Sequence, residues 1–315
     1  MGSEVVPAGI AIKAVQMIRS RGIPLLLIAV FMIIPVGASA VETEQAIPSH
    51  VFMWSVKGKR CTVYLLGSIH VLKKDSYPLD ERIEKAYASC SRVVFEADMV
   101  EAGSQKAREM MLKLGTYPQG QTLHGSLSAK TYRMLDERLK SLGMEISRFE
   151  QIKPWLVSLT LATIELKRLG FSEEDGIDVH FLKKARRDSK KVIFMETAGQ
   201  QIDLLARELS GSQEEMLKQS IEELDVLRQD STDLQGAWRA GDVARVEAIT
   251  KTSLKGYPDI EKKLFVERNT AWTAKIEKLL TQDGDVFFIV GAAHLVGDGG
   301  VLTLLQAKGY TVMQQ

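Results

Sequence analysis

Val63-Tyr64-Leu65-Leu66-Gly67-Ser68-Ile69-His70 reads as a buried strand that breaks at a glycine and delivers an imidazole at its end. An apolar run closed by a turn signal is the pattern of a strand covered on both faces. The construction returns far along the chain, where Val286 to Val290 leads into Gly291-Ala292-Ala293-His294. Between the two, Val93-Val94-Phe95 is a third apolar run, and it closes on Glu96. Two histidines and one carboxylate at strand ends make a candidate metal site with open coordination positions. A single Gly-x-x-His is common by chance; the matched placement after two apolar strands gives the pair its weight.

Upstream, Val51 to Val56 joins the first strand through Lys57-Gly58-Lys59, the spacing of a hairpin with a glycine turn. Downstream, Tyr77-Pro78-Leu79-Asp80 opens a short amphipathic helix that runs to Ala88 and into the strand ending at Glu96. Strand, helix, strand is a parallel crossover, which gathers ligands at the carboxyl ends of its strands. Lys191 to Met195 repeats the pattern and ends in Glu196, after a helix that starts near Gly176-Ile177-Asp178. The last stretch runs from His294 through Gly297-Asp298-Gly299-Gly300 and a helix over Val301 to Lys308 to a strand at Tyr310 to Met313.

The intervening segments are helical. Trp155, Leu159, Ala162 and Leu166 keep helical spacing, Ser212-x-x-Glu215 resembles a capping box, and Asp242 precedes Val243, Val246 and Ile249. The predicted fold is α/β (α+β): a central mixed sheet carrying the Gly-x-x-His motifs at strand ends, with large helical insertions forming a cap. The sheet core falls at 50–100, 190–200 and 284–315, and the insertions at about 104–190 and 200–280.

Residues 1–40 read as a signal peptide rather than as fold. Lys13, Arg19 and Arg21 precede an apolar stretch from Ile23 to Val36, and Ala38-Ser39-Ala40 offers the small residues of a cleavage site. The stretch holds only about 14 apolar residues and includes Pro35, against about 20 for a spanning helix, so an uncleaved anchor is the lesser alternative. Export would place residues 41–315 in a periplasmic or extracellular, oxidising compartment. There Cys61 and Cys90, at the starts of two buried strands, either form a disulfide across neighbouring strands or stay as buried thiols.

The 41 basic and 40 acidic residues of the chain become 38 and 39 once the first forty residues are set aside. With no long basic run and 7% aromatic residues, the footprint of a nucleic-acid partner is missing. No Gly-x-Ser-x-Gly, His-Glu-x-x-His, phosphate-binding glycine loop or paired Cys-x-x-Cys occurs.

Several further residues could carry chemistry. Glu196 reads as a general base, as a group positioning a ligand, or as a carboxylate at a helix N-terminus. Arg268 and Asn269 interrupt an apolar helical pattern near Trp272; they would hydrogen-bond a substrate carbonyl or its oxyanion, or form an internal salt bridge with Asp178 or Glu267. For Asp178 itself the helix-cap reading is favoured. His124 and His180 carry no motif, and the four tryptophans read as core anchors.

Taken as an ordered set, these residues resemble the TraB/GumN/Tiki superfamily, whose pattern is two Gly-x-x-His motifs with a glutamate between them. The resemblance runs through Tyr64–Leu72, Phe95-Glu96-Ala97-Asp98, Lys153-Pro154-Trp155, Gly176-Ile177-Asp178, Glu196-Thr197, Trp238 with Gly241-Asp242, Arg268-Asn269 and Val290–Gly297, so the chain is similar to the bacterial GumN-type members. It implies a metal-dependent hydrolase, with the animal Tiki branch acting as metalloproteases. His70, Glu96 and His294 then take the metal positions, for zinc, manganese or cobalt, and Glu196, Arg268 and Asn269 become pocket residues. The leading expectation is an exported peptidase acting on peptide or protein substrates through a metal-activated water. The alternative is a non-catalytic protein that captures a peptide or a cofactor such as haem in the same pocket.

Overall fold

The computed structural model describes residues 49–315. The proposed export segment, residues 1–40, lies outside the described residues. Six strands form one mixed sheet: β1 (Met53–Lys57), β2 (Thr62–Ser68), β3 (Arg92–Phe95), β4 (Lys191–Phe194), β5 (Val286–Gly291) and β6 (Val312–Gln314), in the order β4-β3-β5-β2-β1-β6. Strands β4, β3, β5 and β2 are parallel, and β1 and β6 add an antiparallel edge. This is the mixed α/β sheet expected from the alternation of apolar runs and helical patterns.

Strand β5 lies between β3 and β2 and is buried along its whole length, which is why Val286-Phe287-Phe288-Ile289-Val290 contains no polar residue. The β1–β2 hairpin turns at Gly58, where a Cβ would stand 2.2 Å from the Leu280 carbonyl oxygen, so only glycine fits.

The register of the parallel strands decides where the functional side chains go. Phe95 pairs with Ile289 on one side and Phe194 on the other, while Ser68 pairs with Gly291. All four parallel strands therefore end at one edge of the sheet. Backbone pairing continues one step past β3 and β4, with the Glu196 amide donating to the Glu96 carbonyl at 2.9 Å.

The helices pack around this sheet and on one another. The Pro154–Arg168 helix is buried over most of its surface and carries the Gln213–Glu223 helix against it. The Leu227–Arg239 helix is pinned to the first histidine motif by Trp238, whose Nε1 donates to the Gly67 carbonyl at 2.6 Å. Asp242 caps the next helix as expected, through the Arg245 amide at 2.9 Å. Ser212 makes no side-chain cap bond, and the capping box lies instead at Thr197 and Gln200, where the chain leaves β4. Among the described residues no helix is long and apolar enough to cross a membrane.

Cys61 and Cys90 are free and buried. The disulfide alternative assumed that their strands are neighbours, but β5 intervenes: Val63 and Arg92 both pair with Val286 from opposite sides. Two strand spacings, about 9–10 Å, exceed the reach of a disulfide.

Candidate active site

Each parallel strand contributes one side chain just beyond its end. His70 follows β2, Glu96 follows β3, Glu196 follows β4 and His294 follows β5 through a single 3-10 turn. The side chains of His70, Glu96 and His294 are buried, at 6%, 3% and 0% exposure, so each charge or lone pair must be met within the protein.

Gly291 marks the point where they meet. A Cβ built there would lie 3.2 Å from His70 Nε2, 3.4 Å from His294 Cδ2 and 3.7 Å from Glu96 Oε2. The glycine of the second motif thus keeps open a hollow that any side chain would fill.

Asp178 sets the orientation of His70. Its Oδ2 lies 2.5 Å from His70 Nδ1 and also accepts the Ser68 hydroxyl. A carboxylate accepts only, so Nδ1 carries the proton and Nε2 turns away from Asp178. Nε2 is buried and has no hydrogen-bond partner. Burial works against the charged ring, but the Asp178 carboxylate, helped by Glu96, raises the His70 pKa to about 9.

The cap expected of Asp178 is not there. Gly176 occupies the N-cap of the Ile177–Arg187 helix, and a Cβ at Gly176 would come within 2.1 Å of the His70 carbonyl oxygen. This close backbone contact, with the Ile177 amide bonded to the Ile69 carbonyl, swings Asp178 inward beneath the imidazole.

Glu96 is held by donors on one oxygen. Oε1 accepts from Arg268 Nη2 at 2.5 Å and from Gln201 Nε2 at 2.9 Å, whereas Oε2 has only the Gly291 amide at 3.3 Å. Burial alone would raise this carboxyl; the adjacent Arg268 guanidinium outweighs it and holds the pKa at about 2. Arg268 forms its salt bridges with Glu96 and Glu196, not with Asp178 or Glu267. Glu196 takes the guanidinium as a fork, Nε to Oε1 at 2.9 Å and Nη2 to Oε2 at 2.8 Å.

His294 has a different environment. Its Nδ1 lies 2.6 Å from Asn269 Oδ1, and that amide is fixed in orientation because Asn269 Nδ2 donates to the Gly299 carbonyl at 2.8 Å. Nδ1 is therefore the donor, and Nε2 accepts from Arg268 Nη1 at 3.2 Å. Burial, with Arg268 alongside, depresses this imidazole to about 3, so it is neutral. Phe265 and Trp272 stack on its ring at 4.8 and 4.6 Å. Phe265, Asn269 and Ala293 also line a cleft of about 80 Å³.

The structure thus places all six site residues read from the sequence in one contiguous cluster, and adds Asp178, Ser68 and Gln201. Gln201, which also reaches Glu196 at 3.4 Å, sits on the helix after β4 with no motif to announce it. His124 and His180 lie elsewhere, His124 edge-to-face with Tyr132 and His180 packed against Tyr77 and edge-to-face with Phe181.

The donor set suits a divalent cation in chemistry: an orphaned imidazole nitrogen and a carboxylate oxygen face one hollow, and three carboxylates outnumber one guanidinium and the charged His70 ring. The geometry does not yet close around one. Arg268 covers Glu96 Oε1 and His294 Nε2, and among the described residues no group of three His, Cys, Asp or Glu side chains is arranged to hold a metal ion.

The family model for the TraB/PrgY/gumN family matches residues 52–314, which takes in every strand and every residue of this cluster. The chain belongs to the TraB/PrgY/gumN family. Among its relatives, the uncharacterized protein YbaP of Escherichia coli (strain K12) is 24% identical over 244 residues, covering 77% of this chain and 87% of that protein. An uncharacterized protein of Treponema pallidum (strain Nichols) is 21% identical over 89% of this chain and 90% of its own length. A protein of Nematostella vectensis named as a metalloprotease TIKI homolog is 23% identical over 83% of this chain and 66% of its own length. No solved structure matches the chain.

Proposed function

We propose that this member of the TraB/PrgY/gumN family is an exported hydrolase of peptide bonds, with its reacting centre over Gly291. The observation that carries the reading is His70 Nε2, a buried nitrogen without a partner, held in place by Asp178 and directed with Glu96 Oε2 at a hollow kept open by glycine. Such an atom calls for an explanation, and one that faces a carboxylate oxygen across a glycine is suited to meet a bound ion or water. The relative named as a metalloprotease supports hydrolysis and metal dependence.

A divalent cation held by His70 and Glu96, with His294 as third donor, would polarise a scissile carbonyl and acidify water. Asp178 holds a proton on His70 Nδ1 and aims Nε2, which would give up its own proton when a cation binds. Arg268, desolvated against Trp272 and fixed by Glu196, would turn the N–H groups it now gives to Glu96 and His294 towards the negative charge that develops on the carbonyl oxygen. Asn269 orients His294, which burial keeps neutral. Glu196 is the more exposed of the two glutamates, at 17% against 3%, and is the carboxylate placed to take up a proton from water on the solvent side.

The test is cleavage of a mixed peptide pool by purified protein supplied in turn with Zn²⁺, Mn²⁺ and Co²⁺, read by mass spectrometry beside His70→Ala. New cleavage products that vanish in the variant are expected. Stoichiometric retention of a ligand with no product under any metal would replace the enzyme with a capture protein.

A further inference from the structure

Arg268 stands where the third side of a cation site should be. Its Nη2 takes Glu96 Oε1 at 2.5 Å and its Nη1 takes His294 Nε2 at 3.2 Å, so one guanidinium uses up donors from two of the three residues that converge on Gly291. The His294 lone pair is free for this because Asn269 has fixed the ring proton on Nδ1. A buried guanidinium and a divalent cation at the same oxygen repel one another in a medium that screens poorly.

The same guanidinium has a second anchor. Glu196 binds it through both oxygens, in the paired geometry that arginine and carboxylate favour, and this grip does not depend on Glu96. Behind it, Arg268 Nη1 also reaches the Leu264 carbonyl at 2.8 Å, in the π-helical turn Lys262–Val266 that immediately precedes the Glu267–Leu280 helix. Such turns are uncommon and concentrate at functional sites. The Trp272 ring lies 4.6 Å from the guanidinium carbon and 4.6 Å from the His294 ring, so it touches both partners of the contact that must break.

We propose that Arg268 is a resident counter-cation: the Arg268 contacts with Glu96 and His294 and the binding of a divalent cation exclude one another, and Glu196 retains the arginine once it is displaced. The inference rests on the metal-dependent reading of this site. It makes Glu196 first of all a positioning residue for Arg268, and it accounts for a carboxylate buried directly after Val93-Val94-Phe95, which is neutralised by an internal cation until an external one arrives.

The experiment titrates ZnCl₂ and MnCl₂ into chelator-stripped protein by calorimetry, with Trp fluorescence followed in parallel. Arg268→Gln is expected to bind the cation at least about tenfold more tightly than wild type, by removal of the competing charge. Glu196→Gln is expected to bind more weakly, with the loss reduced when Arg268→Gln is also present. In wild type the cation should change the fluorescence, and Trp272→Phe should abolish that change. Equal or weaker binding by Arg268→Gln would overturn the proposal, since Arg268 would then be supporting Glu96 as a ligand. If that variant does not fold, cation binding by wild type without a Trp272 signal overturns it equally. His70→Ala separates the two readings: undiminished binding in that variant removes the metal site, whereas binding lost there but not tightened in Arg268→Gln removes only the role of Arg268.

Discussion

Asp178 Oδ2 lies 2.5 Å from His70 Nδ1, and this contact decides which nitrogen of His70 faces the hollow at Gly291. An aspartate here does the work of a ring clamp, reached because Gly176 lets two backbone segments touch. Asp178→Asn keeps the volume but can present an N–H to Nδ1, which favours the other tautomer. We expect a loss of about 10- to 100-fold in cation affinity with little change in thermal stability. Calorimetric titration beside a melting curve checks both; unchanged affinity would leave Asp178 with a packing role alone.

Gly291→Ala should empty the site of function without unfolding the protein. The added methyl would lie 3.2 Å from His70 Nε2 and 3.7 Å from Glu96 Oε2, close enough to occupy the hollow while asking the neighbours to move only a few tenths of an ångström. Peptide cleavage and cation binding are expected to fall by at least about tenfold while the circular dichroism spectrum holds.

The strand ends were readable in advance because each parallel strand holds a run of apolar residues followed by a polar group, at His70, Glu96, Glu196 and His294, even in the half-buried edge strand β4. Strand order was not. That β5 inserts between β2 and β3 depends on how the helices pack, and it is this insertion that separates Cys61 from Cys90. Asp178 was misread for a local reason: the position that a cap would occupy belongs to Gly176, and only the contact with His70 shows why. Gln201 left no sequence signal, since a glutamine one turn into a helix is ordinary until the fold brings Glu96 beside it.

The thiols give a simple chemical check. Denatured protein prepared without reductant should titrate two thiols per chain with a disulfide-exchange reagent. Burial raises the pKa of both groups, that of Cys90 to about 12, so in the folded protein both should react slowly. A single oxidised pair in the denatured sample would contradict the strand order.

Stability of the cation-free protein should fall on the acid side in two steps. His294 takes up a proton near 6.5 when unfolded but only at about 3 when folded, so its contribution is present above 6.5 and is lost as the pH drops towards 3. Glu96, held at about 2 against an ordinary 4.5, adds a further loss below 4.5. His70 acts on the other side: raised to about 9, its contribution is complete below 6.5 and disappears as the pH rises through 9. Urea midpoints from pH 3 to 10 in the presence of chelator should therefore peak near neutrality. His294→Gln should flatten the slope between 6.5 and 4.5, and an unaltered slope would mean that His294 is charged in the folded chain.

Trp238→Phe removes the indole bond to the Gly67 carbonyl of the first motif, at a cost of about 1–3 kcal/mol for a buried acceptor that loses this donor. Chemical denaturation measures it, and a loss below about 0.5 kcal/mol would show that water or a shifted neighbour replaces the indole.

The convergence of His70, Glu96 and His294 on one cation is tested most directly by anomalous diffraction from crystals grown with Co²⁺, Mn²⁺ or Zn²⁺. A single peak about 2.0–2.2 Å from His70 Nε2 and a Glu96 oxygen, above Gly291, is the expected outcome. A peak bound elsewhere, with the Gly291 hollow empty and peptide cleavage intact, would contradict it.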